Sequence, residues 1–273
     1  MKNDRTNKPD TQKKEIKKPF ISGDPFDENS LKNSLAFLGT LAVVFIITFI
    51  ACASAAFSSL ILRLLLNLAV IAVGLAIFYN SGAGRGSDAV VRGEILFQKQ
   101  VKNQPISESE RKICFHPLKG FLIGLIGTAP FIIAALILAI NTKLQTTESG
   151  TLPSWMQAYI RRGDIGNALI NYIQPEGMNA VDYIRAFVRI CILPFINIFG
   201  YANKPAMLAI ERISPLILLL PAASYGTGYL TGKKIRTRIH TVISENDSKR
   251  RKRENKKTKK RNSSRNREPE QLN

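Results

Sequence analysis

The chain has 273 residues, with 39 Lys or Arg against 20 Asp or Glu and a formal net charge of +19. Charged and apolar residues are segregated along it rather than mixed, which excludes an ordinary soluble domain and fits an integral membrane protein with polar ends. Cys52, Cys114 and Cys191 form no CxxC, and His116 and His240 have no second ligand at metal spacing, which argues against a disulfide framework, a structural zinc site or any other metal site.

Residues 1–34 carry eight Lys or Arg, six Asp or Glu and turn formers such as "SGDP", and are expected to be a disordered tail. A membrane domain is expected over 35–240. Its first span is 35–57, "LAFLGTLAVVFIITFIACASAAF", uncharged over 23 residues and long enough to cross about 30 Å of hydrocarbon at about 1.5 Å per residue. After Ser58 and Ser59 a second span follows at 60–79, close enough to the first to form an antiparallel hairpin with it. Residues 80–119 are hydrophilic, and "SESE" at 107–110 has the pattern of a capping box for a short helix. "GAGRG" at 82–86 is not a phosphate loop, because it follows a membrane helix rather than a strand and lacks the Lys-Ser or Lys-Thr pair.

The third span is 120–140, with Pro130 expected to kink it, and the fourth is 213–232, closed by Lys233 and Lys234. Between them, 141–212 is read as a region of amphipathic or re-entrant helices. Ile165, Ala168, Leu169, Tyr172 and Ile173 give one apolar face to a helix over 165–174, and Trp155 and Tyr159 suit a headgroup boundary. Residues 181–201 are apolar but contain Asp182, Arg185 and Arg189. Each arginine costs about 2.5 to 3.5 kcal/mol at the centre of a spanning helix, and Pro194 breaks the helix besides. The expected fold is therefore all-α, with four transmembrane helices and interfacial or re-entrant helices; five transmembrane helices is the alternative. Residues 241–273 are expected to be a disordered basic tail.

Lys and Arg number eight in the first tail, seven between the second and third spans and sixteen after Gly232. The positive-inside rule places all three in the cytoplasm, and a bacterial-type plasma membrane is the expected location. Residues 248–267 hold twelve Lys or Arg, one acidic residue and no aromatic. Lys249, Arg250, Arg251, Lys252, Arg253, Lys256, Lys257, Lys259, Lys260 and Arg261 are thus candidates for contact with anionic lipid or with an RNA-rich partner such as the ribosome, without base stacking.

Arg63, Arg185 and Arg189 are candidates for binding an anion or anionic substrate, the last two lining an outward cavity. Gly120 and Gly124, and Gly228 and Gly232, have the spacing of close helix packing and are candidate oligomer faces. No GxSxG, HExxH or paired intramembrane carboxylates occur, so neither an enzyme nor a cofactor is expected. The functional expectation is a scaffold or accessory membrane component; the alternative is a small transporter, channel or permease subunit.

Overall fold

The computed structural model describes residues 17–53, 59–142, 154–166, 168–169, 179–200 and 203–265. It is helical, in the order α1 (Glu28–Ala53), α2 (Leu60–Val101), α3 (Glu108–Lys112), α4 (Lys119–Asn141), a 3₁₀ turn at Gln157–Arg161, α5 (Ala180–Cys191), α6 (Leu193–Phe199) and α7 (Lys204–Arg265). Among the described residues α1, α2, α4 and α7 are the four helices long and apolar enough to cross a membrane. Their outward faces are apolar through the spans, as Ile46, Ile50, Ile61, Leu65, Ile133 and Leu216 show. Only hydrocarbon tolerates so much exposed apolar surface on helices whose own backbone groups are already satisfied. The helix expected over 165–174 lies largely outside the described residues.

Helices α2 and α7 run parallel and pack along most of the length of α2, while α1 leans on α4 and touches α2 only lightly. The hairpin expected of the first two spans is therefore a connection in sequence, not a packed pair. The pairing of α2 with α7 is set by small residues. A Cβ on Gly82 would stand 2.1 Å from the Tyr225 carbonyl oxygen, and one on Gly86 2.2 Å from that of Tyr229. From the other side, a Cβ on Gly228 would stand 2.1 Å from the Tyr79 carbonyl oxygen. Backbones this close gain dispersion contacts that longer side chains would forbid, which in lipid replaces the missing hydrophobic driving force.

The bundle has two ends. One, here termed the basic end, gathers the start of α1, the end of α2, α3, the start of α4 and the long extension of α7. The other, the far end, gathers the end of α1, the start of α2, the end of α4, the start of α7 and the helix pair α5–α6. Order at the basic end reaches further than the residue pattern suggests, because α1 starts at Glu28, not at residue 35. Asp27 caps it, accepting the Ser30 N–H at 2.7 Å, while Ser30 Oγ accepts the Asp27 N–H at 3.2 Å. Asp27 also pairs with Lys119 at 3.1 Å, both side chains being almost fully buried. Upstream, the Ile21 N–H donates to the Gly93 carbonyl and the Gly23 N–H to that of Phe115. Phe20, Phe115 and Tyr229 form a small second core, capped by Lys233 Nζ at 5.0 Å and 4.9 Å from the two phenylalanine rings. Residues 17–34 are thus part of the fold, not a tail.

The last third of the chain departs from expectation too. Helix α7 does not stop at Gly232 or at residue 240 but continues to Arg265. A charged segment cannot readily nucleate a helix by itself. One that elongates an existing span avoids the nucleation cost, and Lys, Arg and Glu are good helix formers.

At the far end α5 and α6 enter the bundle without crossing it. Twelve and seven residues are too short to span, and the chain breaks at Ile192 with Pro194 in the first turn of α6. Val188, Ile192 and Ile196 are fully buried, and Phe187 stacks on Phe131 at 5.5 Å. Phe131 lies ten residues inside the far end of α4, about 15 Å of helix, so the pair turns back about halfway along that span. Helix α4 runs unbroken through Pro130.

Candidate functional site

At the mouth of the re-entrant pair the structure brings together residues that the sequence leaves 70 positions apart. Glu211, in the second turn of α7, accepts hydrogen bonds from Arg189 Nε at 2.7 Å and from Thr142 Oγ1. Arg189 Nη2 stands 2.6 Å from the same carboxylate, and Arg185 Nε lies 3.7 Å from it, in ion-pairing but not hydrogen-bonding range. Arg185 Nη1 is bound at 2.6 Å by Asp182, which also accepts the Asn179 N–H and so caps α5. Two arginines face two carboxylates, and Glu211 and Arg185 are 4 % and 12 % exposed at their side chains.

This corrects the expectation that Arg185 and Arg189 line an outward cavity for an anion. Their charge is balanced within the chain, because α7 begins two to three turns earlier than the apolar run at 213 and places Glu211 opposite them. A buried charge group of this kind fixes the register of α5 against α4 and α7; its cost of desolvation leaves little net attraction for a further anion.

Arg63 is separate. It lies in the first turn of α2, half-buried, and its guanidinium faces the left-handed Gly200 at the end of α6, where an added Cβ would stand 3.5 Å from Nη1. Its Nε is buried without a hydrogen-bond partner. Nearby, Cys52 Sγ donates to Asn67 Oδ1 at 3.3 Å, Asn67 Nδ2 donates to the Arg63 carbonyl at 2.7 Å, and Asn197 Nδ2 reaches the Cys52 carbonyl at 3.5 Å. This polar link ties α1, α2 and α6 together inside an apolar bundle, and only the asparagines, conspicuous in otherwise apolar stretches, hint at it in the sequence.

Toward the basic end α2 and α7 are locked by a second buried cluster that the sequence reading missed. Glu94 accepts from Arg236 Nε at 3.0 Å and pairs with His240 Nε2 at 2.7 Å, with Glu94 and His240 both nearly inaccessible. Burial works to raise the Glu94 carboxyl, but the hydrogen bonds and charges of Arg236 and His240 outweigh it and hold the group below its ordinary value. Four residues separate Arg236 from His240 on one helix face, and that spacing was the available signal.

Residues 246–258 are all exposed, and Arg250 makes an i,i+4 pair with Glu254 at 2.9 Å. Lys249, Arg250, Arg251, Lys252, Arg253, Lys256 and Lys257 cover every side of one helix, and Lys259, Lys260 and Arg261 continue it. Gly232 is 17 residues before Lys249, so the cluster begins about 25 Å past the end of the span, or about 20 Å if the helix tilts by 40°.

The glycines expected to face another subunit are used inside the chain. A Cβ on Gly120 would stand 2.4 Å from the Tyr229 side chain, on Gly124 2.9 Å from Ala222, and on Gly232 2.3 Å from Gly86. These faces are covered by neighbouring helices, which corrects the oligomer reading at Gly120, Gly124, Gly228 and Gly232.

No family model matches the chain, and no curated protein or solved structure is significantly similar to it.

Proposed function

We propose that this protein is a non-enzymatic scaffold or accessory component of a plasma membrane, with both ends cytoplasmic, that presents a basic helix to an RNA-rich partner such as the ribosome. The observation that carries the reading is the unbroken course of α7 from its span to Arg265. A flexible basic tail could fold back onto anionic lipid. A helix that starts its main cluster about 20 to 25 Å from the span holds those cations well beyond the Debye length of about 8 Å, where the attraction of the lipid surface has decayed. A polyanion that reaches into the cytoplasm meets them instead. Orientation rests on the positive-inside rule: the basic end holds residues 17–34, 80–119 and 233–265, which contain most of the chain's Lys and Arg.

The test is RNA binding by the full chain in phosphatidylcholine nanodiscs, compared with a truncation after Asn246. Purified ribosomal RNA should bind the full chain without sequence preference. Contact by about five of the ten cations would give a log–log salt slope near −3.5. The truncation should lose this binding, and equal binding by the two forms would sink the reading.

A further inference from the structure

Because α1 leans on α4 and α2 on α7, the first two helices touch only lightly, and at the basic end a cavity of about 230 Å³ opens between them, floored by the start of α4 and by Tyr229 of α7. Lys32 of α1 and Arg85 and Arg92 of α2 stand on its wall, the two arginines two turns apart on one face with Asp88 between them. None of these three cations is ion-paired among the described residues. The wall also holds Lys119 and Asp27, which are buried against each other; Asp27 is committed further to the cap of α1. Four cations against two carboxylates leave an excess of two positive charges among the described residues. Asn29 and Asn33, one turn apart, add amide donors.

The depth of the cavity specifies what it would meet. Lys32, Arg85 and Lys119 are the charged residues that immediately border the uncharged runs of α1, α2 and α4 at this end. Phe37, Phe78 and Tyr225 form an aromatic layer below them, with ring centres 5.4 and 5.0 Å apart. Lys32 lies five residues and Arg85 seven beyond that layer, about 8 to 10 Å of helix, which is where headgroups begin above the hydrocarbon. Deeper in the bundle, on the other side of that layer, lies an apolar cavity of about 60 Å³ among α1, α2, the re-entrant pair and α7, lined by residues such as Val44, Gly74, Pro194 and Leu218. The cationic cavity is smaller than the roughly 300 to 1,000 Å³ of pockets that enclose whole drug-sized ligands, and suits a single headgroup.

We infer that this is a binding site for an anionic phospholipid, whose phosphodiester is held by Lys32, Arg85 and Arg92 while its acyl chains lie against the exposed apolar faces of α1 and α2, such as Leu35, Val43, Val73 and Ile77. The site is independent of the basic helix, and its test is arranged so that either can fail alone. The full chain, the truncation after Asn246 and an Arg85→Gln/Arg92→Gln variant are each placed in nanodiscs of phosphatidylcholine with graded phosphatidylglycerol, and bound phosphatidylglycerol is counted by native mass spectrometry. Arg85 and Arg92 are exposed, so the variant should fold; an unchanged unfolding midpoint in pure phosphatidylcholine checks this. The variant should bind phosphatidylglycerol about thirtyfold more weakly, about fivefold for each cation, whereas the truncation should bind it as the full chain does. Equal retention by the variant and the full chain would overturn the site. Displacement of the lipid by millimolar glycerol 1-phosphate would reassign it to a soluble phosphate ester and overturn the lipid assignment.

Discussion

Charged side chains inside this bundle work in pairs that sequence distance conceals. Glu211 answers Arg185 and Arg189, Asp27 answers Lys119, and Glu94 answers Arg236 and His240. Removing one partner leaves the other buried and uncompensated, which costs more than the pair itself contributes. Glu94→Gln should therefore lower stability by roughly 2 to 3 kcal/mol at neutral pH, read as the shift in unfolding midpoint in detergent. Because the folded carboxyl lies below its ordinary value of 4.5, its contribution is fully present above about pH 4.5 and is lost as pH falls through the depressed value. The gap between wild type and Glu94→Gln should close as pH falls below about 4.5; a gap that persisted into strong acid would count against the clamp. Little of this was legible beforehand. The arginines of 181–201 marked a segment that could not cross, but the acid that neutralises them lies in a helix whose start, at Lys204, no apolar pattern announces.

The helices themselves were far more legible than their partners. Uncharged runs of about 20 residues located all four spans, because hydrocarbon admits few other sequences. Which helix packs on which was not legible, since lipid-facing and protein-facing sides are equally apolar. Small residues decide it: α2 approaches α7 through Gly82 and Gly86, while Gly84 on the same helix faces nothing within 4 Å. Gly86→Val should cost at least 1 to 3 kcal/mol through overpacking and reduce the yield of folded protein. Gly84→Ala should be neutral or stabilising, by at most about 1 kcal/mol, through helix propensity. Comparing the two unfolding midpoints checks the interface, and similar behaviour of the two variants would contradict it. The re-entrant pair α5–α6 follows the same logic: its apolar residues satisfied the composition of a fifth span, and the break at Ile192 and Pro194 with two arginines removed the length.

For the molecule as a whole, the arrangement of charge implies one compartment for the basic end. Cys52, Cys114 and Cys191 are all buried, so single introduced cysteines can be labelled against a low background. On intact cells a membrane-impermeant maleimide should modify Trp155→Cys and should reach Ser248→Cys only after permeabilisation; the reverse pattern would invert the orientation. The sequence alone determined where the four helices fit to cross a membrane lie and where the cations concentrate, since suitability for hydrocarbon is a local property of some 20 consecutive residues. Tertiary structure alone decided that residues 17–34 belong to the fold, that α7 carries its cations as a helix and that α2 and α7 pair. It also decided which arginines are neutralised and which are left facing a cavity. Each of these depends on what a distant segment presents at a few ångströms, a quantity that no window along the chain contains.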